Sequence, residues 1–207
     1  MSEKLCDKHD GSRGQKVFRI VAVFVLVVVL ATILIALTAL RPTKPTFTLE
    51  DATVFKLNIS APNVVSTTIQ VTVSARNPNS KIGIYYESLH AYAAYRGQQV
   101  TYFTAIPPAY QGHRGVDIWS PFIYGADVPV APYNGLALAR DMVDGAIPLT
   151  VKVNGQVKWR VGTVVTGRYH LHVTCPAVIP IGNRNNVGIV VGSAIKYQLS
   201  QSCSVSV

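Results

Sequence analysis

The chain has 207 residues, 49% hydrophobic and 14% charged, with a formal net charge of +9. That length has room for one ordinary domain and an appendage, so a single core is expected. The positive balance speaks to partners rather than fold, and where the charges lie relative to the apolar residues decides which partners are excluded.

Residues 1–16 are short, polar and aperiodic, and they predict a disordered tail. Its Cys6 lies too far before the apolar segment for a juxtamembrane acylation site, so a free thiol is expected. Ile20 to Leu40 (IVAVFVLVVVLATILIALTAL) contains no charge, glycine or proline. About 21 such residues span roughly 30 Å of hydrocarbon, which predicts a transmembrane helix over 17–40. The run is too long for the apolar part of a cleaved signal peptide, so it reads as an uncleaved signal-anchor. Lys4, Lys8, Arg13, Lys16 and Arg19 precede it, against Arg41, Lys44 and Lys56 shortly after. That asymmetry places the N-terminus in the cytosol and the rest across the membrane. Thr32 and Ala36 sit four apart in the helix, a spacing too common to argue for or against a homo-oligomer.

Residues 41–45 (RPTKP) read as a stalk, because two prolines stop the helix. Residues 46–207 then form the outer domain, where the period changes to two. Ile69, Val71, Val73 and Ala75 alternate with Thr68, Gln70, Thr72 and Ser74, as expected of a strand with one buried face. The alternation recurs at Ile147, Leu149, Val151 and Val153; at Val157, Trp159 and Val161; at Tyr169, Leu171, Val173 and Cys175; and at Cys203, Val205 and Val207. Asn154-Gly155 gives the strongest hairpin signal. Asn77-Pro78-Asn79 reads as a corner, with Asn79 tolerating left-handed geometry and Gly83 allowing a bulge. Leu136 to Val143 is the one stretch suited to a helix. Many short strands with turns between them predict an all-β antiparallel sandwich.

Beyond the membrane, disulfides and N-glycans are permitted. Cys175 and Cys203 both fall on core-facing strand positions, which favours a bridge over two buried thiols. Asn58-Ile-Ser60 is a glycosylation acceptor. No Gly-x-Ser-x-Gly elbow and no evident carboxylate pair appears, so no catalytic residue is assigned and the chain is expected not to be an enzyme. His170-x-His172 places two imidazoles on one strand face; a third ligand would have to come from His90, His113 or a carboxylate, and no metal or cofactor is expected. Tyr85 and Tyr86 point to opposite faces, so one is core and the other free for contact. The outer part carries 14 basic and 7 acidic residues. Outside the cell that balance excludes nucleic acid as a partner and favours an acidic wall polysaccharide, anionic lipid or acidic protein.

Three ordered motifs carry a resemblance: Asn77-Pro78-Asn79 leading to Tyr85-Tyr86, Tyr110-Gln111-Gly112-His113, and the run from Val153 through Asn154, Gly155 and Trp159 to Gly162. With the anchor, the stalk and the late cysteines, they resemble plant membrane proteins of the non-race-specific disease resistance and harpin-induced-like group, which carry a group-two late embryogenesis abundant domain. The resemblance implies a fibronectin- or immunoglobulin-like sandwich outside the plasma membrane, acting in pathogen defence, the hypersensitive response, senescence or at plasmodesmata. It supplies no catalytic residues. Some relatives end in a lipid-anchor signal, whereas Lys196 to Val207 has no hydrophobic tail. The expected function is a non-catalytic binding domain in defence signalling at the membrane and cell-wall boundary, with a defence-signalling protein as the other candidate partner. The alternative is a structural stress protein that stabilises membrane surfaces.

Overall fold

The computed structural model describes residues 10–39, 42–59, 63–180, 189–191 and 194–207. Cys6, Ser60 and residues 1–9 of the expected tail lie outside them. The chain divides into two compact units, Met1–Arg41 and Pro42–Val207.

The described residues of the first unit form the helix α1 (Asp10–Ala39). Its segment Gly14–Leu34 is long and apolar enough to cross a bilayer. The helix begins seven residues before the expected start, so Asp10 to Lys16 is helical and not disordered. Once a long apolar helix has nucleated, extending it costs little per residue, and polar side chains are carried along.

The second unit is built from β1 (Thr46–Ile59), β2 (Val64–Arg76), β3 (Ile82–Tyr95), β4 (Gln98–Gln99), β5 (Thr104–Ile106), β6 (Ala109–Gln111), β7 (Val116–Trp119), β8 (Phe122–Pro129), α2 (Pro132–Asp144), β9 (Ala146–Val161), β10 (Val164–Val165), β11 (Tyr169–Pro180), β12 (Ile189–Val191), β13 (Ala194–Ser202) and β14 (Ser204–Ser206). One sheet runs β12-β13-β1-β2-β7, with β8 also on β2; the other runs β14-β11-β9-β3-β4, with β10 on β9 and β5 and β6 on β3. The pairings are antiparallel. The period-two residues meet between the sheets: Ile69, Val71 and Val73 of one face Ile84, Val151, Leu171 and Val173 of the other in one buried cluster. Phe47 and Tyr86 pack edge to face across that gap at 6.2 Å, and Trp119 does the same to Tyr86 at 5.3 Å. Each large apolar side chain so buried contributes about 1.5 to 3 kcal/mol.

Asn154-Gly155 is not a hairpin. β9 runs unbroken through it, with Asn154 opposite His90 and His172, and Gly155 opposite Leu171. The glycine is required by the neighbour: a Cβ there would lie 2.9 Å from both Leu89 Cα and Ser88 O. These belong to a bulge in β3, where the register shifts between Glu87 and His90 and Ser88 adopts φ 51°. Gly83 makes no bulge either. It pairs regularly with Arg160, and its missing Cβ leaves room for the Tyr110 ring. Two residues expected inside, Tyr169 and Val207, are exposed.

The expected stalk is part of the domain from Pro42 onward. Thr43 N–H donates to Asn79 Oδ1 at 2.9 Å, Asn79 Nδ2 donates to Thr43 O at 2.7 Å, and Lys44 Nζ donates to Val205 O at 2.7 Å. At the other end of the chain, Cys175 and Cys203 form a disulfide with Cα atoms 4.3 Å apart. Cys203 sits where the chain leaves β13 in one sheet for β14 in the other, and its N–H donates to Phe47 O at 2.9 Å. The bridge therefore fastens a sheet crossing.

Candidate functional site

The sequence motifs come together mostly as structure. Asn77 is fully buried and carries the chain from β2 in one sheet to β3 in the other. Its Nδ2 donates to Ile82 O at 2.7 Å and Gly112 O at 3.0 Å, and its Oδ1 accepts from Asn79 N–H and Nδ2. Its own N–H donates to Gly115 O, and Arg114 N–H donates to Asn79 O. A short amide side chain is what the corner needs, because it offers donors and acceptors to several backbone groups at once. Asn79 is not among the described residues with positive φ; its value lies in its amide, not in left-handed geometry.

Behind the corner, Tyr86 OH donates to Gln111 Oε1 at 2.9 Å and Gln111 Nε2 donates to Ala75 O at 2.7 Å. Burial pushes the Tyr86 hydroxyl far above its usual range, followed by the nearby Asp117 charge. Desolvation raises the Asp117 carboxyl as well. Trp159 is core, and Gly162 turns the chain into β10 at φ 59°. Asn58 is exposed on β1, opposite Ser66.

A concavity of about 480 Å³ opens on the outer face of the sheet containing β3, β9 and β11. Ser88, His90, Phe103, Asn154, Gly155, Gln156, His170 and His172 line it. The bulge at Ser88 and the bare Gly155 make the hollow, and alternation brings the polar side chains outward. Phe103, 60% exposed, stands edge-on to Tyr92 at 4.9 Å and to His90 at 6.5 Å. Asn154 Nδ2 donates to Tyr92 OH, and Asn154 Oδ1 lies 3.3 Å from His172 Nδ1. His170 and His172 stack at 6.5 Å. His90 is two strands from His172 with Asn154 between, a span of about 10 Å. Among the described residues, no group of three or more His, Cys, Asp or Glu can hold a metal ion.

Cations flank the hollow. Lys158 Nζ lies 2.7 Å and Arg168 Nε 3.2 Å from the Glu87 carboxylate. The Lys158 hydrogen bond, assisted by Arg168, holds Glu87 below the usual carboxylate range. Lys152 pairs with Tyr92 across the strands. Arg160 donates to Tyr85 OH and lies over the Tyr110 ring at 5.5 Å, so Tyr85 is the outward partner of buried Tyr86. The hollow offers an aromatic wall, amides and imidazoles, and a positive rim; its lining holds no carboxylate. Such a site can bind a polar ring compound by stacking and hydrogen bonds. Of its residues, Phe103 carried no signal in the sequence. It stands just before β5, whose pairing with β3 from Leu89 to Ala91 brings it against His90 and Tyr92.

A family model described as "Late embryogenesis abundant protein" matches residues 72–175, which contain both the corner and every residue lining the hollow. The chain is 51% identical to "NDR1/HIN1-like protein 1" of Arabidopsis thaliana, over 99% of this chain and 100% of that one. It is 47% identical to "NDR1/HIN1-like protein 12" of the same plant, over the full length of both, and 36% identical to "NDR1/HIN1-like protein 26" over 87% of each. This chain belongs to the NDR1/HIN1-like family and carries its late embryogenesis abundant domain.

Proposed function

We propose that this protein is a single-pass membrane protein of plant defence. Its N-terminus is cytosolic and its sandwich lies outside the plasma membrane, where it binds acidic wall polysaccharide without catalysis. The hollow at His90, Phe103, Asn154 and His172 carries this reading. An exposed aromatic beside amides and imidazoles suits a pyranose ring, and Lys152, with the net positive cluster of Lys158 and Arg168 around Glu87, suits its carboxylate. The apolar helix α1 and the kinship to NDR1/HIN1-like proteins support the anchor and the defence role. Exposure of Asn58 supports its use as a glycan acceptor on the same side of the membrane.

The test is a titration of the full chain in neutral nanodiscs with polygalacturonate, a neutral glucan and anionic vesicles, at low and high salt. Saturable binding to polygalacturonate that survives high salt is expected. Equal binding to every anionic surface, vanishing with salt, contradicts the reading, because contacts that rest on long-range charge alone are screened.

A further inference from the structure

The two ends of the sandwich differ in charge. The end where the chain enters at Thr43 gathers the corner Asn77 to Lys81, the loop Gly112 to Gly115, and the β9–β10 turn. Their proximity is fixed by Arg114 N–H to Asn79 O and Asn77 N–H to Gly115 O, and by the pairs Arg76 with Val116, Ile82 with Val161 and Val161 with Val164. Arg76, Lys81 and Arg114 are exposed here, with His113 beside them, and no ion pair among the described residues engages them. Between them stand bare apolar side chains: Val116 is 55% exposed and Val164 66%. Asp117, next to Val116, is partly buried and its carboxyl is raised by desolvation. The opposite end carries Asp127, Asp141 and Asp144 against Arg96 and Arg140, with Arg96 paired to Asp141 at 3.5 Å, so acids there outnumber bases.

We propose that this basic end, Arg76, Lys81 and Arg114 with Val116 and Val164, docks on the anionic phosphates of the membrane that anchors the chain. The proposal rests on the reading of α1 as a bilayer-spanning helix. Four residue steps separate Ala39, the last helical position, from Thr43, and four steps reach at most about 14 Å. Two asparagine hydrogen bonds hold Thr43 to the corner, so the proposal puts the basic end, and not the opposite one, at the headgroups. Cations interspersed with exposed valines match an interface that is charged outside and apolar beneath. Each basic residue near such a surface is worth roughly fivefold in local binding. Docking there leaves the hollow on the sheet face open to other ligands.

Hydrogen exchange of the full chain tests this in nanodiscs of phosphatidylcholine alone and of phosphatidylcholine with phosphatidylglycerol. Residues 76–82, 112–116 and 162–165 are expected to exchange several-fold more slowly in the anionic discs at low salt. High salt, or the combined substitution Arg76→Gln, Lys81→Gln and Arg114→Gln, abolishes that slowing, while residues 96–98 and 126–128 do not change. Equal exchange in both discs, or slowing that survives the triple substitution, overturns the proposal. Slowing of the same segments by polygalacturonate in neutral discs also overturns it, since the basic end then serves the polysaccharide. Polygalacturonate affinity of the triple variant, measured on the same preparation, reports the hollow separately and is expected to be unchanged.

Discussion

Two asparagine motifs look alike in the sequence and behave oppositely in the fold. Asn77-Pro78-Asn79 turns the chain from one sheet to the other, whereas Asn154-Gly155 lies inside an unbroken sixteen-residue strand. At the corner, both amides are consumed by backbone groups and by the entering chain at Thr43. In the strand, Gly155 yields space to a bulge on β3 and Asn154 turns its amide outward into the hollow. A turn-forming dipeptide thus states what the backbone can do; the opposing strand decides what it does.

The comparison can be broken from the strand side first. β11, which pairs with β9 along its length, is held by the disulfide, and Cys203→Ser should cost about 3 kcal/mol for the loop it closes. Thermal unfolding of the variant, and of the reduced protein, should show the same loss. Gly155→Val should cost about 2 to 3 kcal/mol, because its side chain meets the Leu89 Cδ2 methyl and also the Leu89 and Ser88 backbone, which cannot swing aside as the methyl can. Gly112→Ala, with nothing within 4 Å of a Cβ, is the control and should unfold within about 0.5 kcal/mol of the parent.

The corner side breaks more mildly. Asn77→Ala leaves the carbonyls of Ile82 and Gly112 without their donor and should cost about 2 kcal/mol in denaturant unfolding. The smallest effect sharpens the picture behind the corner. Asp117 Oδ2 is buried without a partner, and desolvation raises this carboxyl. A raised folded value means that the native state takes up the proton first. Stability should therefore rise as pH falls from neutral through that value toward the ordinary carboxyl range near about 3.9. Asp117→Asn should gain about 1 kcal/mol at neutral pH and lose that acid-side rise, as followed by melting temperature against pH.

Much of this was legible in the chain. The alternation at Ile69 to Ala75 and at Leu171 to Cys175 identified buried faces because period-two burial is a local property. The same rule argues against a hairpin at Asn154-Gly155, since the odd positions from Ile147 to Trp159 stay apolar on both sides of the dipeptide. The candidate site was less legible. His90, Phe103, Asn154 and His172 come from different strands and a loop, and only the register of β3 against β9, shifted by the Ser88 bulge, assembles them. Nor did Thr43 announce that it closes the corner, because its partner lies 36 residues away.

The central claim is that the hollow on the sheet face binds an acidic sugar polymer. Calorimetric titration of polygalacturonate into the full chain in neutral nanodiscs, with the parent and Phe103→Ala side by side, tests it most directly. The account predicts saturable binding by the parent at high salt and a loss of about tenfold on removing the aromatic wall. Identical affinities for the two proteins would contradict it.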